Sequence, residues 1–164
     1  MPYSNTSQWL EELIKTLREA RCDRGVTLDM MPEPIYLIGN GGSAAVAMHI
    51  ANDLVKHGRD AHALADPVTM ACLSNDFGWE RVFSSQMRNR GTLIAISSSG
   101  QSRNILNAME TVRRDPVMTV TLSGFEETNP LRAMGHYNYY VPSKNYGLVE
   151  ICHLAILHSI VNPG

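Results

Sequence analysis

The sequence predicts an open α/β fold, a class in which helices cover both faces of a mostly parallel sheet. Five short apolar segments alternate with segments of helical period along the chain, and this alternation is typical of parallel strands joined by helices. Two of these segments run directly into turns rich in glycine or serine, which is where open α/β sheets bind ligands. The chain has 164 residues, so we expect residues 1–164 to form one domain with a sizeable core.

The first predicted element is a helix over residues 5–21. Apolar residues recur there at helical spacing, and Asn5 with Gln8 forms a capping box. The next segment carries a glycine and two prolines, so we expect a loop that leads to the first strand. The domain is thus divided into an N-terminal helical segment, residues 1–22, a loop, 23–34, and a core, 35–161.

The core contains the five predicted strands and the helices between them. The strands are expected at residues 35–38, 62–65, 92–96, 117–122 and 137–141. A helix follows the first strand. A helical turn is then predicted over 68–73, and the polar segment 74–78 is expected to end it. Further helices are predicted at 79–89, 105–112 and 147–161. The polar segment 124–135 is expected to form a loop or a short helix.

The composition excludes several classes of partner. The net charge of -2 disfavours binding to nucleic acid or to a membrane surface, because those partners need a dense basic patch. The N-terminal segment lacks a basic stretch followed by an apolar core, and no apolar run is long enough to span a membrane. Cys22, Cys72 and Cys152 lack metal-type spacing, and their odd number favours reduced thiols. We therefore expect a cytoplasmic protein with a small polar ligand.

The first strand runs into a glycine-rich turn. Glycine permits backbone conformations closed to other residues and lets a ligand approach the main chain. Ser43 is placed to cap the following helix, whose free N–H groups favour an anion. The turn also matches a dinucleotide-binding fingerprint, with Asp60 about twenty residues further on, so a nicotinamide enzyme is one hypothesis. The residues of the turn are Gly39, Asn40, Gly41, Gly42 and Ser43.

The third strand runs into a second turn that carries four serines: Ser97, Ser98, Ser99 and Ser102. Hydroxyls at a strand end suit a phosphate monoester, since each can donate a hydrogen bond and the following helix start adds main-chain donors. A nicotinamide enzyme has no need of such a run at a second strand end. The alternative interpretation is a solvated turn in which one serine caps the helix.

Ionisable residues lie on two otherwise apolar helices. His49 and Asp53 are four residues apart on one helical face, as in a metal pair, a base with its orienting partner, or an exposed ion pair. The last helix carries Glu150, His153 and His158 among apolar residues, where an unpaired charge is costly. Glu150 and His158 are about 12 Å apart along the axis, so both reach one ion only by leaning inward. We interpret His153 as a residue that supports the site or as a core residue.

Four segments resemble, in order and spacing, the SIS (sugar isomerase) domains and, within them, the phosphoheptose isomerases. The segments are GNGGSAAVAMHIANDL, SNDFGWERVFSSQM, LIAISSSGQSRNIL and VEICHLAILH, and the likeness covers residues 35–161. The resemblance implies a three-layer α/β/α sandwich around a five-stranded parallel sheet. It also implies a homotetramer with its sites between subunits.

The resemblance further implies an aldose–ketose isomerase. Its reaction converts sedoheptulose 7-phosphate into glycero-manno-heptose 7-phosphate, a precursor of lipopolysaccharide or other surface sugars, through an enediol. The implied phosphate ligands are Ser97, Ser98, Ser99 and Ser102, and the implied sugar-lining residues are Asn40, Gly41, Gly42 and Ser43, with Asn75 and Asp76 at the edge. The implied zinc ligands are His49, Asp53, Glu150 and His158, with the base and the acid at Asp53 and His158.

Three positions depart from the family pattern. Asp53 replaces a glutamate, Glu150 replaces a glutamine, and Gly147 with Leu148 replaces an Asp-Arg pair. Two carboxylates with two neutral imidazoles would balance a divalent ion, and manganese or iron is then also compatible. The departures leave open a different sugar phosphate, or Glu150 as the base in place of Asp53. Some SIS relatives are assembly or regulatory proteins, including one that promotes replication initiation, but the retained ionisable residues favour an enzyme.

Overall fold

The computed structural model describes residues 5–162, so residues 1–4 of the predicted N-terminal segment and residues 163–164 lie outside the described part. The helices are α1 (Thr6–Glu19), α2 (Gly42–Lys56), α3 (Pro67–Phe77), α4 (Arg103–Val112) and α5 (Tyr146–Val161). The strands are β1 (Arg21–Cys22), β2 (Ile35–Gly39), β3 (Ala61–Ala63), β4 (Gly91–Ser97), β5 (Val117–Ser123) and β6 (Tyr137–Tyr140). Short 3₁₀ turns lie at Leu28–Met30, Trp79–Arg81, Ser84–Gln86 and Pro130–Ala133.

The strands form a mixed sheet in the order β1-β6-β5-β4-β2-β3. Strands β2 to β6 are parallel to one another, as predicted. Strand β1 adds an antiparallel edge, with Arg21 opposite Tyr140 and Cys22 opposite Tyr139. The prediction of five strands is therefore wrong by one, because a two-residue strand with both side chains exposed has no alternating pattern to detect.

Two apolar cores separate three layers. Ile94 and Ile96 of β4 belong to the core formed with α2 and α5, whereas Leu93 and Ala95 belong to the core formed with α4. All residues of β4 are buried, as expected for a central parallel strand. Helix α1, capped by Asn5 as predicted, packs against α5 on the outside of the first core. The α/β/α sandwich is confirmed.

Helix α3 is longer than the helical turn predicted from the sequence. The Asp66 carboxylate caps its start by accepting a hydrogen bond from the Thr69 N–H at 2.7 Å. Gly78, at φ +85°, ends it. The polar residues 74–76 therefore belong to the helix, because caps on both sides fix its ends.

The helix predicted over residues 79–89 is wrong, since this segment forms two 3₁₀ turns. Side chains occupy carbonyl groups that a continuous helix would use. The Gln86 amide donates to the Val82 carbonyl at 2.7 Å, and the Ser84 hydroxyl donates to the Arg81 carbonyl at 3.3 Å. Such local hydrogen bonds compete with the helical pattern.

The composition-based expectations concern thiols and membrane spans. Cys22, Cys72 and Cys152 are all unpaired, with the first two exposed and the third buried. Within residues 5–162, no helix has both the length and the apolar character needed to cross a membrane.

Candidate active site

A pocket lies at the carboxyl ends of β2 and β4, where the two turns identified in the sequence meet. Gly39 is paired with Ile96, so the turns leave the sheet side by side. The cavity has a volume of about 260 Å³, and the start of α5 closes its third side. The structure therefore brings together every turn residue that was predicted to contact the substrate, whereas Gly39 ends β2 and does not line the cavity. The lining residues are Asn40, Gly41, Gly42, Ser43, Ile96, Ser97, Ser98, Ser99, Ser102, Tyr146 and Glu150.

Close contacts explain two glycines of the first turn. A Cβ atom at Gly39 would lie 2.5 Å from the main-chain carbonyl carbon of Ser43. A Cβ atom at Gly42 would lie 2.2 Å from Oε2 of Glu150. Gly41 adopts φ +55°, a conformation that L side chains disfavour. The turn thus brings the first main-chain atoms of α2 directly against the Glu150 carboxylate.

The serine turn presents one hydroxyl that has no hydrogen-bond partner within residues 5–162. The Ser97 and Ser102 hydroxyls lie 3.1 Å apart, and Ser99 Oγ accepts a hydrogen bond from the Gln101 N–H at 3.3 Å. Ser98 Oγ is buried and has no hydrogen-bond partner among the described residues. Leaving a buried hydroxyl unpaired costs about 1–3 kcal/mol, so this group is suited to a ligand that supplies an acceptor.

Two asparagines that the sequence analysis missed brace these turns. The Asn40 and Asn104 side chains exchange two hydrogen bonds of 2.9 Å each, which tie the first turn to the start of α4. Asn129 lies behind the serine turn, where a Cβ atom at Gly100 would be 1.9 Å from its Oδ1. Asn104 and Asn129, the two that the sequence analysis missed, are both buried. Their roles depend on strand pairing, which no local motif reveals.

Glu150 lies in the pocket and apart from the other predicted metal ligands. Its half-buried carboxylate contacts the start of α2, and burial raises the pKa of this carboxyl group. Among the described residues, the candidate metal-ligand group comprises only His49, Asp53 and His158. The four predicted ligands are therefore divided between two places.

The His49–Asp53–His158 cluster lies where α2 and α5 pack against each other. Asp53 Oδ2 is 3.5 Å from Nε2 of His49 and 3.6 Å from Nδ1 of His158. The imidazole rings are arranged edge to face, with centroids 5.0 Å apart, and the three ligand atoms all lie within 4.8 Å of one another. Two imidazoles and one carboxylate are typical of a catalytic zinc site with an open position. The residues fit a divalent metal.

Two neighbouring side chains, those of Lys56 and Asn162, contact residues of this cluster. Lys56 Nζ donates to Asp53 Oδ1 at 3.2 Å, and this hydrogen bond is the main cause that lowers the pKa of Asp53, with partial desolvation acting against it. The Asn162 amide nitrogen lies 3.2 Å from Nδ1 of His158, and its oxygen lies 2.6 Å from Nε2 of His57. Asp53 is therefore held in its ionised form, which both a metal ligand and a general base require.

Asn75 and Asp76 lie away from the pocket of their own chain. Both are exposed on α3, where the Asn75 amide donates to Asp76 Oδ1 at 3.3 Å. Asp76 Oδ2 also accepts a hydrogen bond of 3.5 Å from the Cys72 thiol, and the Asp76 carboxylate raises the pKa of that thiol. Neither residue lines the cavity, so the structure of one chain does not bring them to the substrate.

His153 is fully buried beneath the pocket. Its Nε2 lies 3.1 Å from the carbonyl oxygen of Ser123 at the end of β5, and its Nδ1 has no partner among the described residues. Burial lowers the pKa of His153 to about 4. The ring is therefore neutral and donates to Ser123, a supporting position compatible with its sequence-based interpretation.

A larger cavity of about 430 Å³ lies elsewhere and lacks the features of a reaction site. It is bordered by Asp60 and His62 near β3 and by the exposed Arg88 and Arg90. This cavity lies near the amino ends of β2 and β3, whereas ligands of open α/β sheets bind at the carboxyl ends. The smaller cavity is therefore the better candidate.

Comparison with solved structures defines the class of the protein. No family model matches the chain, but it superimposes on the phosphoheptose isomerase of Neisseria gonorrhoeae with a TM-score of 0.78 and 25% identity, covering 96% of each chain. The phosphoheptose isomerase of Francisella tularensis gives a TM-score of 0.77 at 23% identity, with 95% of this chain and 94% of that chain covered, and so has the same fold. The fold is that of a SIS domain.

Sequence relatives narrow this class to one family. Phosphoheptose isomerase of Fusobacterium nucleatum is 32% identical over 137 residues, which cover 77% of this chain and 70% of the relative. The enzyme of the same name from Akkermansia muciniphila is 38% identical, with 77% and 72% covered. The chain belongs to the phosphoheptose isomerase family. It is an aldose–ketose isomerase for a sugar phosphate, and the nicotinamide and non-catalytic hypotheses are wrong.

Proposed function

We propose that the chain interconverts sedoheptulose 7-phosphate and glycero-manno-heptose 7-phosphate. The proposal is carried by one arrangement: a phosphate pocket and an imidazole–carboxylate cluster lie along the same two packed helices. The pocket lies at the first residues of α2 and α5, and the cluster lies further along both helices, at the middle and last turns of α2 and near the end of α5. The name of the relatives, phosphoheptose isomerase, supports the substrate class.

The serine turn binds the phosphate. Its hydroxyls are neutral donors, and Ser98 Oγ has no partner in the described part of the chain to give up when a phosphate oxygen arrives. Helix α4 begins directly after Ser102, and the Ser102 side chain makes no capping hydrogen bond. The first N–H groups of α4 therefore favour an anion. The first turn of α2 adds main-chain donors from the other side.

The length of the sugar matches the spacing of the two regions. His49 lies two turns beyond Gly42 on α2, about 10 Å along the axis. A triose phosphate bound at the serine turn would end short of the cluster, whereas an extended seven-carbon chain can bring C1 and C2 to it. The middle of such a chain passes Glu150, whose carboxylate accepts hydrogen bonds from sugar hydroxyls.

Asp53 and His158 transfer the protons. Asp53 removes a proton from C1 of the ketose and returns it to C2, while His158 moves a proton between the two oxygens. Among the described residues, Asp53 is the one of the two candidate carboxylates that has imidazole nitrogens within 4 Å. Its low pKa keeps it ionised, and the neighbouring His158 is placed to exchange protons with the substrate oxygens.

His49, Asp53 and His158 would hold a divalent metal, and we propose zinc because imidazole and carboxylate are common zinc ligands. When bound, the metal supplies Lewis acidity at the substrate oxygens that carry charge in the enediol. Lys56 contacts the other Asp53 oxygen, Oδ1, so it can orient the carboxylate without occupying Oδ2. In this proposal Glu150 stays with the sugar.

We also propose a homotetramer whose subunits share their sites. Met48 and Val55 on α2 and Ile151 on α5 are exposed, and none of the residues of α3 is buried. A second copy that covers these apolar surfaces would remove them from water. It would also allow the Asn75–Asp76 pair of one copy to approach the pocket of another. Sedimentation that shows a monomer at micromolar concentration would contradict shared sites.

The proposed setting is the cytoplasm. The three unpaired thiols suit a reducing compartment. The aldose product would serve there as a precursor for lipopolysaccharide or another surface sugar. Loss of heptose from the surface polysaccharide of a deletion strain would support this role.

The decisive experiment combines an assay with metal analysis. Purified protein is expected to convert sedoheptulose 7-phosphate to the aldose, followed by NMR, and to contain bound zinc. Removal of the metal with a chelator should abolish conversion, and added zinc should restore it. Protein that gains no metal on dialysis against zinc would contradict the metal assignment. Failure to convert this ketose while another ketose phosphate reacts would contradict only the substrate.

A further inference from the structure

An aromatic pair, Tyr146 and Phe125, lies at the mouth of the pocket. Tyr146 lines the cavity, yet its surface is 59% exposed. The Phe125 ring contacts it edge to face, with centroids 4.7 Å apart and ring planes at 64°. Neither residue takes part in the proposed phosphate binding or proton transfer. The exposed Tyr146 ring is therefore available to a ligand in the cavity.

The main chain holds Phe125 in an unfavourable conformation. Its φ is +59°, and a bulky residue rarely adopts a positive φ. Hydrogen bonds fix both of its peptide groups: its N–H donates to the Ser143 carbonyl at 2.9 Å, and its carbonyl accepts from the Tyr140 hydroxyl at 2.9 Å. Such backbone strain is found mainly at functional sites. Here its visible result is the placement of an aromatic ring behind Tyr146.

Tyr146 is itself fixed by its position in the chain. It is the first residue of α5, and Asn145 caps this helix by accepting a hydrogen bond from the Leu148 N–H at 3.3 Å. The Phe125 side chain packs against the apolar cluster that contains Val149, one turn into the same helix. The backbone of Tyr146 and the ring that supports it are thus both anchored to α5.

We propose that Tyr146 binds the sugar part of the substrate and that Phe125 positions it. This inference rests on the proposed function, because it assigns a contact within the same ligand. A tyrosine ring offers an apolar face to the C–H groups of a sugar and a hydroxyl to its oxygens. The serine turn lines the same cavity and binds the phosphate in the proposed function, so a contact between Tyr146 and the sugar would distinguish a sugar phosphate from inorganic phosphate.

The test compares two probes on the same variants. Tyr146→Ala should weaken the binding of sedoheptulose 7-phosphate and raise KM by about three- to tenfold, the range for a lost aromatic contact. Its affinity for inorganic phosphate, measured by calorimetry, should stay at the wild-type value. Tyr146→Phe keeps the ring and should lose less affinity than Tyr146→Ala. Metal content should stay near wild type in both variants, because Tyr146 lies outside the His49–Asp53–His158 cluster.

Phe125→Gly tests the positioning role. Glycine accepts a positive φ without strain, so this variant removes the ring and relieves the backbone at once. We expect sugar-phosphate affinity to fall in the same direction as in Tyr146→Ala, with no change for inorganic phosphate. His62→Ala is the matched control, because His62 is an exposed ring that lies near a second aromatic ring, Tyr36, outside this pocket.

Two results would overturn the inference. If Tyr146→Ala lowers the affinity for sedoheptulose 7-phosphate and for inorganic phosphate equally, Tyr146 is a structural residue. If the affinity for both is unchanged, Tyr146 has no role in binding. The proposed function fails separately, if wild type does not isomerise sedoheptulose 7-phosphate. In that case binding of fructose 6-phosphate, measured beside inorganic phosphate on the same variants, decides whether Tyr146 contacts a sugar.

Discussion

The pocket at the two turns and the His49–Asp53–His158 cluster both involve α2 and α5 but are built in different ways. The pocket is defined by the main chain: glycines without room for a Cβ atom, turns at the ends of paired strands, and amides that tie one turn to the other. The cluster is defined by side chains, namely His49, Asp53 and His158 on the surfaces of α2 and α5. The difference suggests that the fold fixes where the substrate binds, while a few exchangeable side chains decide the chemistry.

The largest effect should come from Asp53→Asn. The amide cannot accept the C1 proton, so kcat should fall by about 10²–10⁴-fold, the usual contribution of a general base. Glu150→Gln is the matched variant, because it makes the same change on the other carboxylate, and it should keep kcat within tenfold, as expected of a residue that contacts only hydroxyls. Steady-state kinetics on metal-loaded protein checks both.

An inactive variant could have lost either the catalytic base or the bound metal, and its metal content distinguishes these two causes. Asp53→Asn should bind zinc more weakly, whereas Glu150→Gln should bind it like wild type, since Glu150 lies outside the cluster. If Glu150→Gln loses activity while Asp53→Asn retains it, the base is Glu150. If both retain activity, neither carboxylate transfers the proton.

A pair of glycine substitutions should separate stability from binding. In Gly39→Ala the new Cβ atom meets the backbone at Ser43, which cannot move aside, so the free energy of unfolding should fall by about 1–3 kcal/mol. In Gly42→Ala it meets the end of the flexible Glu150 side chain, which can rotate away. The second variant should keep its stability and raise KM, because Glu150 leaves the sugar. Chemical denaturation and kinetics on both proteins measure this contrast.

The contrast also shows what the sequence could predict. Strands such as β4 were predictable because their apolar runs are buried on both faces, and the two turns because their glycines and serines follow strands directly. The separation of the Glu150 and His158 side chains was not predictable. Both residues lie on one helix, but helical spacing does not give the direction of each side chain. The strand β1 and the 3₁₀ turns after Gly78 depend on pairing and on local side-chain hydrogen bonds. Asn104, Asn129 and Tyr146 belong to no local motif.

Ser98→Ala tests whether an unpaired polar group in the pocket is reserved for the ligand. The hydroxyl is buried and has no hydrogen-bond partner among residues 5–162, so its removal should leave the free energy of unfolding unchanged or raise it. Affinity for inorganic phosphate and for the sugar phosphate should fall together, by about tenfold for one lost charge-assisted hydrogen bond. Ser97→Ala is the matched variant: its hydroxyl pairs with Ser102, so its removal should also lower the free energy of unfolding. Unchanged phosphate affinity in Ser98→Ala would show that the Ser98 hydroxyl does not bind the phosphate.

The smallest effect concerns His153, which joins the pocket to the core. Its pKa is lowered from 6.5 to about 4 by burial, so below pH 6.5 the unfolded chain binds a proton that the folded chain refuses. The resulting stability is present above pH 6.5 and is lost as the pH falls toward about 4. Between pH 7 and pH 5.5 the loss should be about 1 kcal/mol. His153→Asn can still donate to the Ser123 carbonyl and does not titrate, and the other histidines are common to both proteins, so the difference between their unfolding curves isolates this group. If the free energy of unfolding depends on pH in the same way in wild type and variant, His153 is protonated in the folded state. The Ser123 carbonyl would then have to stabilise an imidazolium.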